Sequence, residues 1–129
     1  MTGENRRLAA AEELARADEE LAAARTLLDA GLFRPAMTRA YYAVFHAARA
    51  LLFHEALEPR SHEGVLHLLN VHWIKGGRLE TRWNRVLARL QKFREEADYG
   101  RSFVLDREAL DEELAAAEGF CARARELLG

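Results

Sequence analysis

The chain has 129 residues, half of them hydrophobic, with 31% charged and a formal net charge of −2. That length reads as one domain over residues 1–129, and that apolar fraction can form a core without disulfides or metals. The near-neutral balance excludes a general nucleic-acid binder while leaving room for a local basic patch. A lone cysteine, Cys121, excludes an internal disulfide, and the absence of any CxxC pair excludes a zinc ribbon or thioredoxin-type site.

The N-terminus is charged almost from its start, with no apolar stretch of a secretory signal, and no window reaches the ~18 apolar residues of a membrane span. A cytoplasmic location with no membrane partner is therefore expected. From about Glu4 to Ala30, Leu14, Leu21 and Leu28 recur every seven residues with Ala17 and Ala24 between them, which predicts an amphipathic helix ended by Gly31. Pro35 suits the first turn of a second helix running to about Ala56. Apolar and small residues occupy most of its faces, so it should be central. LEPRSHEG follows as a loop, with Ser61 a candidate cap, and HEGVLHLLNVHWI predicts a third helix stopped by Lys75-Gly76-Gly77. A fourth helix covers about Leu79 to Tyr99, Gly100 ends it, and RSFVLD is an extended connector. Asp106 then caps a final helix whose stripe is Leu110, Leu114, Ala117, Cys121, Ala124 and Leu128. The expected fold is all-α, an up-and-down helical bundle of four long helices plus one shorter helix.

Three polar clusters stand out. On the second helix, Arg39, Tyr42, His46 and Arg49 are spaced to share one face, with Arg39 and His46 roughly 10 Å apart along the axis. A guanidinium that grips phosphate beside an imidazole that moves a proton would suit metal-independent cleavage of RNA. The plainer alternative packs Tyr42 and His46 between helices and pairs the arginines with glutamates of a neighbour. Spacing alone favours that alternative, because Arg and His seven apart is a common accident in a helical chain with five histidines. In PRSHEGVLH, His62 falls at a helix start, where the dipole favours a neutral ring; a capping or loop-locking role outweighs catalysis there. In KFREEADYG, Arg94 and Asp98 form an i,i+4 pair beside Tyr99, a helix-ending salt bridge on a surface or a polar-ligand site in a cleft. The acidic runs of the first and last helices read as solvated faces, and no motif for a metal or a cofactor is present, so none is expected.

Taken together and in order, RAYYAVFHAARALL, SHEGV and FREEADYG resemble the HEPN domain family, in particular the small stand-alone subfamily often encoded beside a minimal nucleotidyltransferase. The resemblance covers nearly the whole chain. It implies a helical bundle that forms a homodimer and acts as the toxin, or the substrate- or nucleotide-binding half, of a two-component module with that nucleotidyltransferase. It also implies a metal-independent ribonuclease built on an R-x4–6-H motif, with two copies framing one RNA. In the ribonuclease members that motif lies late in the chain, whereas here no histidine follows His72 and the spacing is met only by Arg39-x6-His46. On the catalytic reading Arg39 holds phosphate, His46 is the acid/base and Tyr42 orients or stacks. On the alternative, a non-catalytic module, Arg39, His62, Arg94, Asp98 and Tyr99 line a pocket for a nucleotide or a partner loop. Tyr99 is also a candidate acceptor for an added nucleotide. A third reading is a structural bundle whose polar seam only sets helix register.

Overall fold

A computed structural model describes residues 2–98 and 105–129, with Asp98 described for its backbone alone. Among the described residues five α-helices follow in order: α1 (Gly3–Asp29), α2 (Phe33–His54), α3 (His62–Leu69), α4 (Thr81–Asp98) and α5 (Arg107–Leu128). No strand occurs among the described residues, and the architecture is an all-α helical bundle. No helix among them is long and apolar enough to cross a membrane.

The ends of the helices follow from local chemistry. Thr2, Ser61 and Asp106 are extended, and their side-chain oxygens accept from the N–H groups of Asn5, Gly64 and Ala109, which start α1, α3 and α5. At the end of α1, Gly31 takes φ +78°, letting its N–H reach the Leu28 carbonyl while Leu32 N–H reaches that of Leu27. This tight reversal sets α2 back along α1. The end of α2 repeats the device with a residue that lacks glycine's freedom: Ala56 sits at φ +60°, donating to Phe53 while Leu57 donates to Leu52.

α2 is the central element and packs against all four other helices. Its alanines (Ala36, Ala40, Ala43, Ala47, Ala48 and Ala50) are all buried, and their small side chains let the neighbours approach. Met37, Tyr41, Val44, Leu51 and Leu52 fill the space between. Each such large side chain, wholly removed from water, contributes about 1.5–3 kcal/mol. Leu69, Leu87, Leu90, Leu110, Leu114 and Phe120 complete the core from α3, α4 and α5.

Several expected boundaries move. The third helix is not α-helical throughout: α3 stops at Leu69, and Asn70–Ile74 form a π-helical turn closed by Lys75 N–H on the Asn70 carbonyl. Within this turn Trp73 is buried and Val71 is exposed. α2 ends two residues before Ala56, and α4 starts at Thr81, two residues after a buried Leu79 that belongs to the preceding turn. The expected α4 end at Tyr99 and most of the RSFVLD connector lie outside the described residues. On α1 the buried line is Ala10, Glu13, Ala17, Ala24 and Leu28, with Leu14 and Leu21 only partly covered.

Candidate functional site

The polar seam of α2 faces α1 on one side and α3 with α4 on the other. On the α1 side, Arg39 Nη1 donates to both oxygens of Glu20, at 3.0 and 2.8 Å, and its guanidinium lies 5.0 Å from the centre of the Tyr42 ring. Two turns on from Arg39, His46 Nδ1 is 2.7 Å from Glu13 Oε2. Arg49 and Arg16 reach the other oxygen of the same carboxylate, at 3.6 and 3.2 Å. Both arginines of the predicted face thus pair with glutamates of α1.

Glu13 is the residue that sequence reading missed. It belongs to an acidic run expected to be solvated, yet only 3% of it is exposed. The signal was its register: Glu13 stands three residues after Ala10 and four before Ala17, on the small-residue stripe that α1 turns to α2. Burial pushes its carboxyl upward. The His46 hydrogen bond and the charges of Arg49 and Arg16 more than offset this and hold it below the usual carboxylate range. An ionised carboxylate only accepts, so His46 donates from Nδ1. Among the described residues its other nitrogen, Nε2, has no hydrogen-bond partner.

On the opposite side the polarity reverses. Tyr41, two positions from the seam's arginine, is wholly buried, and its hydroxyl lies 2.5 Å from His62 Nδ1. Burial pushes the phenol far above its ordinary range, so the proton stays on Tyr41 and the hydroxyl donates. His62 Nδ1 therefore accepts, and Nε2 carries the proton. Burial, then the nearby Arg94 charge, keeps the His62 ring neutral by lowering its pKa, and Arg49 acts in the same sense. The ring is stacked on Phe45 at 4.5 Å between centroids.

The three sequence clusters meet here. Arg94 of α4 donates to the Tyr42 hydroxyl at 3.3 Å and lies 5.3 Å from the centre of the Tyr41 ring. Tyr42 and Phe45 separate the two imidazoles, each ring centroid within 6.4 Å of both histidines. Arg39, Tyr42, His46, His62 and Arg94 are consequently one constellation, although they come from three helices. The Asp98 side chain and Tyr99 lie outside the described residues. The face is neither sealed nor fully open, with the side chains of Arg39 and His46 exposed by 36% and 16%. Among the described residues no cluster of His, Cys, Asp and Glu could hold a metal ion. Cys121 is buried, as its place on the stripe of the last helix implies, and gives its thiol hydrogen to the Ala43 carbonyl, away from this constellation.

The central helix of this bundle thus carries a seam of arginines, phenols and imidazoles oriented by α1, α3 and α4. Residues 10–127 match the HEPN domain, and the chain belongs to that family. It is 39% identical over 83 residues to a candidate toxin of Methanocaldococcus jannaschii, covering 64% of this chain and 62% of that protein. A UPF0332 protein of Pyrococcus horikoshii is 43% identical over 63 residues, 49% of this chain and 44% of its own length. A UPF0332 protein of Thermotoga maritima is 32% identical over 105 residues, 81% of this chain and 80% of its own. The matched region thus spans less than two thirds of the first two of these relatives.

Proposed function

We propose that the chain is a HEPN-type toxin that works as one half of a module with a minimal nucleotidyltransferase, and that it cleaves RNA without a metal at the α2 seam. The observation that carries this reading is the Glu13–His46 pair, which orients the imidazole through Nδ1 on the α2 face it shares with Arg39 and Tyr42. His46 Nε2 takes the proton of a ribose 2′-hydroxyl. The 2′-oxygen then attacks phosphorus, forming a 2′,3′-cyclic phosphate as the bond from phosphorus to the 5′-oxygen breaks. The imidazolium returns its proton to that leaving oxygen, so no water is consumed and the histidine is restored. Glu13 steadies the imidazolium while it exists. Arg39 holds the non-bridging oxygens once phosphate displaces Glu20, and Tyr42, fixed by Arg94, orients or stacks the base. A homodimer would supply a second copy of the seam to the same RNA.

The toxin assignment is supported by the family match and by the printed name of the M. jannaschii relative. The nucleotidyltransferase would neutralise the chain by binding it or by adding a nucleotide, with Tyr99 as acceptor. Incubation with the partner and ATP followed by mass spectrometry tests the latter, and an unmodified Tyr99 removes it.

A second reading, a non-catalytic module that docks a nucleotide or partner loop, draws on the two-oxygen contact between Arg39 and Glu20, which occupies the cation that cleavage needs. Incubation of a mixed RNA pool in EDTA with the purified protein, and with its His46→Ala and Arg39→Ala variants, separates the two. Cleavage lost in both variants establishes the ribonuclease. Intact RNA beside a folded wild type leaves the docking module.

A further inference from the structure

Between α2 and the start of α3 lies a cavity of about 180 Å³ lined by Phe45, Arg49, Pro59, Arg60, Ser61 and His62. Phe45, Arg49 and His62 also border the seam described above, whereas Pro59, Arg60 and Ser61 do not. Two guanidiniums border the cavity. Arg49 is tethered at one end to Glu13, but that carboxylate also serves His46 and Arg16, and the buried Nε of Arg49 has no acceptor. Arg60 is exposed and makes no ion pair among the described residues, although Glu58 and Glu63 are its near neighbours in sequence. Positive charge here is under-compensated.

The hydrogen-bonding groups point the same way. Because Tyr41 donates to Nδ1, His62 can offer the cavity only an N–H from Nε2. Ser61 accepts from Gly64 N–H at 2.9 Å, so its own hydroxyl hydrogen is available to donate. Cations and donors thus converge on one small space, and the dipole of α3 adds potential of the same sign. At about 180 Å³ the cavity is small against the roughly 300–1,000 Å³ of pockets that enclose whole drug-sized ligands. It suits a single anionic group of phosphate size with its remainder outside, where the Phe45 ring can meet an apolar or aromatic part.

We propose that this cavity is a phosphate-binding site, in which Arg49 and Arg60 grip the phosphate oxygens while His62 Nε2–H and the Ser61 hydroxyl donate to them. A free phosphate, a terminal phosphate of a nucleotide chain and an internal diester share this chemistry, and the arms of the test tell them apart. The site touches the Glu13–His46 pair through Arg49 but requires no cleavage there.

The test uses the full chain and inorganic phosphate at constant ionic strength, followed by the nitrogen-15 resonances of the His62 ring. A saturable shift of His62 Nε2 is expected. Arg60→Ala, which breaks no existing contact, should weaken binding about tenfold, the scale of one charge-assisted pair. Arg85→Ala, which removes a different exposed arginine, should leave it unchanged. A nine-residue oligoribonucleotide with and without a 5′-phosphate identifies the source. Tighter binding of the phosphorylated form marks a terminal phosphate, equal binding marks a diester, and binding of inorganic phosphate alone marks the free ion. An unmoved His62 resonance, or equal losses in Arg60→Ala and Arg85→Ala, overturns the proposal. RNA that the protein binds but leaves intact would count against cleavage and leave the phosphate site standing.

Discussion

Glu13 of α1 and His46 of α2 stand thirty-three residues apart in sequence and 2.7 Å apart in space, and the carboxylate is the more deeply buried of the two. That bond fixes the imidazole tautomer, ties the first helix to the central one and gathers Arg49 and Arg16 around a single acceptor. A buried carboxylate with three partners is worth more in place than absent, because removing it strands cationic groups in a half-buried seam.

Glu13→Gln preserves shape and removes charge. It should lower stability by about 1.5–3 kcal/mol near neutral pH, the range for hydrogen bonds to a charged group. Burial raises the folded carboxyl, but His46, Arg49 and Arg16 outweigh it and hold it below its ordinary 4.5. The contribution of this charge is therefore complete above the unfolded value and is lost as pH falls through the folded one. Urea denaturation of wild type and variant should show a gap that closes on acidification below pH ~4.5. A gap that widens there contradicts the assignment.

The bundle and its central helix were legible in the sequence because small and apolar residues on every side of a helix can be satisfied only in the middle of a fold. The Arg39–Tyr42–His46–Arg49 face was legible too, since it follows from helical spacing alone. What periodicity could not supply was the partner of each group. Glu13 and Glu12 are identical letters in one run, and only the rotation of α1 against α2 decides which is buried. Tyr41 looked apolar by position, and its hydroxyl acquires meaning only when the LEPRSHEG loop brings His62 over it. The π-helical turn at Asn70–Ile74 escaped notice because its residues carry an ordinary helical pattern and the extra residue in the turn leaves no compositional mark.

Tyr41→Phe should cost about 1–2 kcal/mol, because it leaves His62 Nδ1 without its donor while retaining the ring that fills the core. The same change should free the His62 ring to exchange tautomers. Nitrogen-15 spectra of the ring report this directly: a fixed Nε2–H pattern in the wild type should give way to averaged shifts in the variant. Identical spectra for the two proteins would show that the phenol does not set the tautomer.

His62 also supplies a pH dependence. Burial first, then Arg94 and Arg49, lower its pKa below the ordinary 6.5, so the unfolded chain takes up a proton before the folded one does. Glu95 opposes this shift and is outweighed. Stability should therefore fall as pH drops from 6.5 toward the folded value and then level off with respect to this group. In His62→Gln that slope should vanish, while the separate loss from Glu13 at lower pH persists. Denaturation midpoints taken at half-unit intervals from pH 7.5 to about 4 resolve the two windows, since each begins near the ordinary pKa of its own residue type. A slope unchanged by His62→Gln assigns the proton uptake to another histidine.

Ala56 occupies the left-handed position that closes α2, where Gly31 serves the same purpose after α1. Its Cβ crowds the backbone in that conformation, whereas the two terminating hydrogen bonds, Ala56 to Phe53 and Leu57 to Leu52, involve main chain only. Ala56→Gly should therefore relieve strain and keep both bonds. Against this, glycine gives the unfolded chain extra freedom, which takes back part of the gain. The net expectation is stabilisation of about 0.5–1 kcal/mol, from a strain of about 1–2 kcal/mol less that entropy. Urea denaturation should shift the midpoint upward with an unchanged slope, because neither state alters the surface it exposes. A downward shift would show that the turn after α2 is held by side-chain packing at Ala56 rather than limited by its backbone.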